Sequence, residues 1–239
     1  MLKDLENEIN KIADEKHAIA LKRFFKTGKG QYGEGDIFIG LRNPQCRTLA
    51  KKYKTLSMVQ TEILIANKVH EKRFIGLLIL IQNYKNAKKS KDGNLIEDII
   101  QTYIKHAKQN RINNWDLVDL SAPNLLGDYL INRDKTLLYD FAKTENLWLQ
   151  RISIIATYAF IRKNLFIDTL NISKILINHK HDLIHKAVGW MLREIGKRDI
   201  NALELFLAEH YNNMPRTMLR YAIEKFNENK RQQYLKGLV

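Results

Sequence analysis

Apolar residues recur at steps of three and four along most of the chain, the pattern of amphipathic helices. Leu2, Leu5, Ile9, Ile12 and Ala13 form the first such stripe, which predicts a helix or helix pair over residues 1–26. Gly28-Lys29-Gly30-Gln31-Tyr32-Gly33-Glu34-Gly35-Asp36 interrupts the pattern, so 27–40 reads as a glycine-rich loop. Leu41-Arg42-Asn43-Pro44 restarts it, with proline in the first turn of a new helix. From residue 41 to 239 helical segments follow one another through short polar connectors: 88–94, Asn132-Arg133-Asp134 and Asn212-Asn213-Met214-Pro215. No stretch alternates convincingly with period two, so no sheet is expected. With 3 prolines and 11 glycines the chain has few helix breakers, and the fold class predicted is all-α.

The segments also resemble one another. Those starting at His70, Trp115, Trp148, His185 and Met214 each place a polar or aromatic group before an apolar run that holds small residues. Arg73, Asp119, Arg151, Lys186 and Arg216 recur at intervals of roughly 30 to 46 residues, the scale of two-helix solenoid repeats. On this reading residues 1–239 are a single α-solenoid domain whose corresponding helices line one concave surface. Trp115, Asp119, Arg151 and Trp190 then converge in a linear cleft although they are distant in sequence.

Charge narrows the partner. Lys plus Arg number 40 against 26 Asp plus Glu, a net +14, which raises the local concentration of polyanions, nucleic acid first among them. A lysine-rich solvated surface accounts for the same excess without a partner. Cys46 is the only cysteine, which excludes an intrachain disulfide and a structural zinc site built on cysteines. The N-terminus lacks the basic-then-apolar plan of a signal peptide, and the longest apolar run, Phe74 to Ile81, is far short of the roughly 20 residues needed to span a bilayer. A soluble cytoplasmic monomer, nucleoid-associated when bound to DNA and with no membrane partner, is expected.

The densest candidate chemistry lies at Asn113-Asn114-Trp115-Asp116-Leu117-Val118-Asp119. Asn113 and Asn114 are good helix N-caps, which puts Trp115 in a first turn and Asp119 four residues on, along the same face. An indole beside a carboxylate suits a cationic ligand, because both are electron-rich. A core tryptophan beside a salt-bridged aspartate is the plainer alternative. Arg151, Lys186, Arg193, Arg216 and Arg220 sit near repeat starts or on inner helices, where they can track phosphates. Trp148, among Leu147, Leu149 and Ile152, reads as core. The glycine-rich stretch is not followed by Gly-Lys-Ser/Thr and follows no strand, so a flap closing over a ligand or a plain connector fits it better than a nucleotide site. His179, His181 and His185 have no carboxylate pair beside them, and His70-Glu71 lacks the second histidine of a zinc-protease helix, so no metal is expected. Cys46, Ser121 and Ser153 stand in no pattern for nucleophilic catalysis.

The segments Asn114–Asp119, Trp148–Arg151, Lys186–Glu194 and Met214–Tyr221 resemble, in order and spacing, the AlkD family of alkylpurine DNA glycosylases, from about residue 20 to the C-terminus. The resemblance implies a solenoid of HEAT-like helical repeats with a basic concave face for duplex DNA. It implies that Trp115 and Trp190 contact the lesion nucleotide and its sugar, that Asp119 is the carboxylate beside the glycosidic bond, and that Arg151 is the basic group completing the site. Arg193 then contacts the DNA backbone. No cofactor or metal is implied, and catalysis in the family does not enclose the base in a pocket. The chain departs from the family in its longer Gly28–Asp36 loop, and Asp182 and Leu183 stand where aromatic residues are expected before the Trp190 helix.

Three functions follow as expectations. The leading one is a monofunctional DNA glycosylase that removes cationic N3- or N7-alkylpurines from duplex DNA. The alternative is a catalytically inactive HEAT-like module that binds damaged or branched DNA. A protein-interaction scaffold is the third.

Overall fold

The computed structural model describes residues 1–239 and is all-α, as the periodicity predicts; the one extended pairing is an isolated parallel bridge between Ile37 and Val69. The chain divides into two units, Met1–Ser121 and Ala122–Val239. The hydropathy pattern, continuous from residue 41 onward, carries no sign of that division.

In the first unit, several helix starts coincide with local capping chemistry. Helix α1 (Leu2–Lys11) buries Leu5 and Ile9, and α2 (Glu15–Phe24) is capped by Asp14, whose carboxylate accepts the His17 N–H at 3.0 Å. Helix α3 (Asn43–Lys52) carries Pro44 in its first turn, and α4 (Met58–Ile65) opens on a Ser57–Gln60 capping box. Helix α5 (His70–Ser90) is apolar round most of its circumference, the mark of a buried helix, and α3, α4, α6 (Gly93–Lys108) and α7 (Trp115–Ser121) pack around it. The site elements are therefore hung on the N-terminal end of one central helix.

The segment between α2 and α3 is built rather than slack. The Gly28 N–H donates to Gln31 Oε1 at 2.9 Å, Gly30 to Glu34 Oε2 at 2.7 Å, and Gly33 to the Lys26 carbonyl at 3.1 Å. Further on, the buried Glu71 carboxylate accepts the backbone N–H groups of Ile39, Gly40 and Leu41, the shortest at 2.8 Å. Gly40 is required there: its φ is +89°, and a Cβ would lie 1.9 Å from the Asp14 carbonyl oxygen.

The second unit begins where Pro123, lacking an N–H, resets the helical ladder into a π-turn (Pro123–Gly127), with Gly127 donating to the Ala122 carbonyl at 2.8 Å. The helices α8 (Asp128–Leu130), α9 (Thr136–Lys143), α10 (Leu147–Ala156), α11 (Tyr158–Ile161) and α12 (Ile167–Leu176) follow. Then come α13 (Asp182–Gly196), α14 (Ile200–His210), α15 (Arg216–Ala222) and α16 (Glu228–Lys236). Helix α13 is central, packed by α10, α12, α14 and α15. It starts three residues before the predicted opening at His185, because His181 caps it by accepting the Leu183 N–H at 3.1 Å. Trp148 is core, as expected, at 5% exposure.

Candidate active site

Trp115 and Asp119 lie one turn apart on α7, both half-buried. Asn114, wholly buried, fixes the start of that helix: its carbonyl accepts the Val118 N–H at 3.1 Å and its side-chain oxygen the Trp115 N–H at 2.9 Å. The Trp115 ring stacks on Phe25 with centroids 5.3 Å apart and an interplanar angle of 23°, and Phe24 meets it edge-on at 5.9 Å. Phe24 is 63% exposed, so an open aromatic surface runs from α2 onto α7. Burial pushes the Tyr103 phenol above its usual range, opposed by its bond with the Ser121 hydroxyl and assisted by the Asp119 charge. The pair thus presents negative charge and a π-face together, a combination suited to a cation.

Behind Trp115 lies a buried charge network. Asp36, the last residue of the glycine-rich stretch, accepts from Arg73, from His70 Nδ1 at 3.0 Å and from Asn114 Nδ2 at 3.0 Å. His70 Nε2 reaches Asp116 Oδ2 at 2.8 Å. Burial works to raise the Asp36 carboxyl, but the His70 and Arg73 cations outweigh it and hold it below the usual carboxylate range. Burial likewise opposes charge on His70, and the Asp116 and Asp36 carboxylates together raise it to about 9. A cavity of about 350 Å³ adjoins, walled chiefly by Phe24, Phe25, Phe38, Phe74, Trp115 and Cys46. The Cys46 thiol is pushed up to about 12, first by burial and then by the Glu71 and Asp116 charges, so it stays protonated and inert as a nucleophile at neutral pH. The Glu71 and Asp116 carboxylates on the cavity wall are already bonded to protein donors, so the cavity offers a visitor aromatic surface, with His17, Arg42 and Asn43 also on its lining.

The network of Asp36, His70 and Asn114 is what sequence reasoning missed; of the three only Asn114 was singled out, as a helix cap. Their partners stand 34 to 78 residues away, beyond any local spacing rule. The available signal was chemical: a histidine, a glutamate and an arginine directly before the longest apolar run of the chain each require a buried partner.

In the second unit Arg151 is 4% exposed and donates to the Leu183 carbonyl, so its guanidinium sits within the packing of α10 against α13. Trp190 is half-buried on α13, with its indole N–H donating to Glu194 Oε1 at 3.2 Å and its ring 5.9 Å from that of Tyr158. Of the phosphate-contact candidates, Lys186 pairs with Asp182 at 2.7 Å, and Arg193 pairs with Glu224 and, at 3.6 Å, with Glu194. Arg216 and Arg220 are exposed one turn apart on α15. The side chains of His179, His181 and His185 are tied into the backbone: His179 accepts the His181 N–H, His181 the Leu183 N–H, and His185 Nε2 meets the His179 carbonyl. No cluster of three or more His, Cys, Asp or Glu side chains is placed to hold a metal ion, and no helix is long and apolar enough to cross a membrane.

The protein is thus an all-helical chain that sets a carboxylate and an indole on one short helix and carries a large basic excess. The chain belongs to the DNA alkylation repair enzyme family, whose model matches residues 5–226. Its fold is shared with a solved structure described as a predicted DNA alkylation repair enzyme from Enterococcus faecalis, with a TM-score of 0.66 and 16% identity over 90% of this chain and 97% of that one. A search of curated proteins finds no match.

Proposed function

We propose that this DNA alkylation repair enzyme is a monofunctional glycosylase that hydrolyses the N-glycosidic bond of cationic N3- or N7-alkylpurines in duplex DNA, without drawing the base into a pocket. The observation that carries the reading is the Trp115–Asp119 pair, half-buried on one face of α7. A purine alkylated at N3 or N7 already bears positive charge and leaves without being protonated. What accelerates the step is negative, electron-rich surface beside the oxocarbenium-like sugar, which Asp119 and the indole supply. Asp119 also orients the attacking water, a general-base role. Trp190 contributes the second aromatic contact with the lesion nucleotide, and Arg151 acts as the site's basic group. Lys186, Arg193, Arg216 and Arg220 bind the DNA backbone, the enzyme works as a cytoplasmic monomer, and no cofactor takes part.

A second reading, an inactive module that binds damaged or branched DNA, is favoured by one observation: the Arg151 guanidinium is buried and bonded to a backbone carbonyl. Alkali-labile abasic sites in a methylated duplex separate the two. The glycosylase reading expects such sites to accumulate with enzyme and time, with no strand break before alkali and none in unmethylated duplex. Tight binding with no abasic sites favours the inactive module, and a DNA complex with the modified base enclosed in protein overturns the claim about the base.

A further inference from the structure

We propose that His70 is a positioning residue: by bridging Asp36 and Asp116 it ties the glycine-rich loop to the helix that carries Trp115 and Asp119, and so fixes the face presented to the lesion. The assignment rests on reading Trp115 and Asp119 as site residues.

With both carboxylates ionised, the geometry sets the charge of the bridge. Both ring nitrogens of His70 face carboxylate oxygens, at 3.0 and 2.8 Å, and an ionised carboxylate only accepts hydrogen bonds. Each nitrogen must therefore carry a proton, which makes the ring an imidazolium. The groups facing it are Asp36 from the loop, Asp116 from α7, and Arg73 and Glu71 from its own helix. Cys46 of α3, His17 of α2 and Arg42 lie across or at the rim of the adjoining cavity.

The two carboxylates depend on His70 unequally. Asp36 keeps Arg73 and Asn114 if the ring lets go. Asp116 bonds otherwise only to the Leu117 N–H of its own helix, so His70 is its hold on another element. Neutral imidazole has a single N–H and cannot serve both acids. A second link runs through stacked rings: His70 on Phe38 at 4.5 Å, Phe38 on Phe25 at 4.9 Å, and Phe25 on Trp115 at 5.3 Å. Loss of the His70 proton or side chain thus loosens the first turn of α7, where Trp115 sits. The ring is charged at neutral pH and gives up its proton near 9.

The 239-residue chain labelled with 15N-tryptophan gives three indole resonances, and Trp115→Phe identifies that of Trp115. That resonance is expected to move with a midpoint near pH 9 in the wild type, and to be displaced and flat over the same range in His70→Gln. Single-turnover release of 7-methylguanine from methylated duplex is expected to fall about tenfold or more in His70→Gln, with DNA affinity within about threefold of wild type. The wild-type rate falls above the same midpoint and the variant rate does not. Should His70→Gln not fold, Asp116→Asn keeps the shape, removes one carboxylate charge, and is expected to lower the midpoint. A Trp115 resonance that is indifferent to both substitutions and flat from about pH 7 to about pH 10 overturns the assignment. The resonance needs no DNA: if it titrates as expected in a wild type that releases no base, the His70 link is supported and the glycosylase reading fails separately.

Discussion

At the scale of single residues, the first unit buries His70 between the carboxylates of Asp36 and Asp116. The ordinary histidine value of 6.5 is raised to about 9 in the folded chain, so the folded state holds the proton more tightly than the unfolded one. That stabilisation is present in full below about pH 6.5 and is lost as pH rises through about 9. Urea denaturation across that window is expected to show the unfolding free energy of the wild type declining by on the order of 3 kcal/mol. The decline should be absent in His70→Gln; a wild type equally stable at both ends contradicts the charge assignment. Arg151 makes a separate case. Because its guanidinium is buried against the Leu183 carbonyl, Arg151→Ala is expected to cost roughly 1–3 kcal/mol of stability whatever it does to activity, measured by the same denaturation. An unchanged stability there means that Arg151 is held for DNA and not for packing. Trp115 and Asp119 were legible in the sequence because their relation is a four-residue spacing. Asp36 and His70 were not, because theirs is made by folding.

Among the elements, helix starts were written locally and the boundary between units was not. Asp14, Ser57, Asp92, Asn146 and Asp199 each cap the helix that follows with their own side chains, so those starts could be read from residue type alone. The π-turn follows from Pro123, which has no N–H to give, whereas the break after Ser121 comes from packing, which no periodicity records. The glycine-rich stretch, read from sequence as a flap or connector, is organised by side chains that reach it from α5. Close approach of elements gives a sharp test on α13. A Cβ at Gly189 would stand 2.5 Å from both the Met218 carbonyl oxygen and Tyr221 Cβ, so α15 must back away from α13 to admit one. Gly189→Ala is expected to lower the unfolding free energy by about 1–3 kcal/mol, seen as an earlier urea midpoint. A neutral result contradicts the tight α13–α15 packing.

For the molecule as a whole, the +14 charge and the family together make DNA the polyanion to bind. The cations do not contribute alike. Lys186 and Arg193 are paired with acids on the protein, whereas Arg216 and Arg220 project from α15 into solvent. Removing Arg216 or Arg220 is therefore expected to reduce the slope of log affinity against log salt by about 1 each, and removing Lys186 by less. Equal slopes for all variants would contradict the phosphate roles given to α15. The central claim is chemical, and the most direct measurement is chromatographic release of 7-methylguanine and 3-methyladenine from methylated duplex DNA by wild type and Asp119→Asn, with folding and DNA binding checked for both. Asparagine keeps the shape of the side chain and removes its charge. The account predicts release of both bases by the wild type and a loss of about 100-fold or more in the variant. No release by a folded, DNA-binding wild type, or equal release by both proteins, contradicts it.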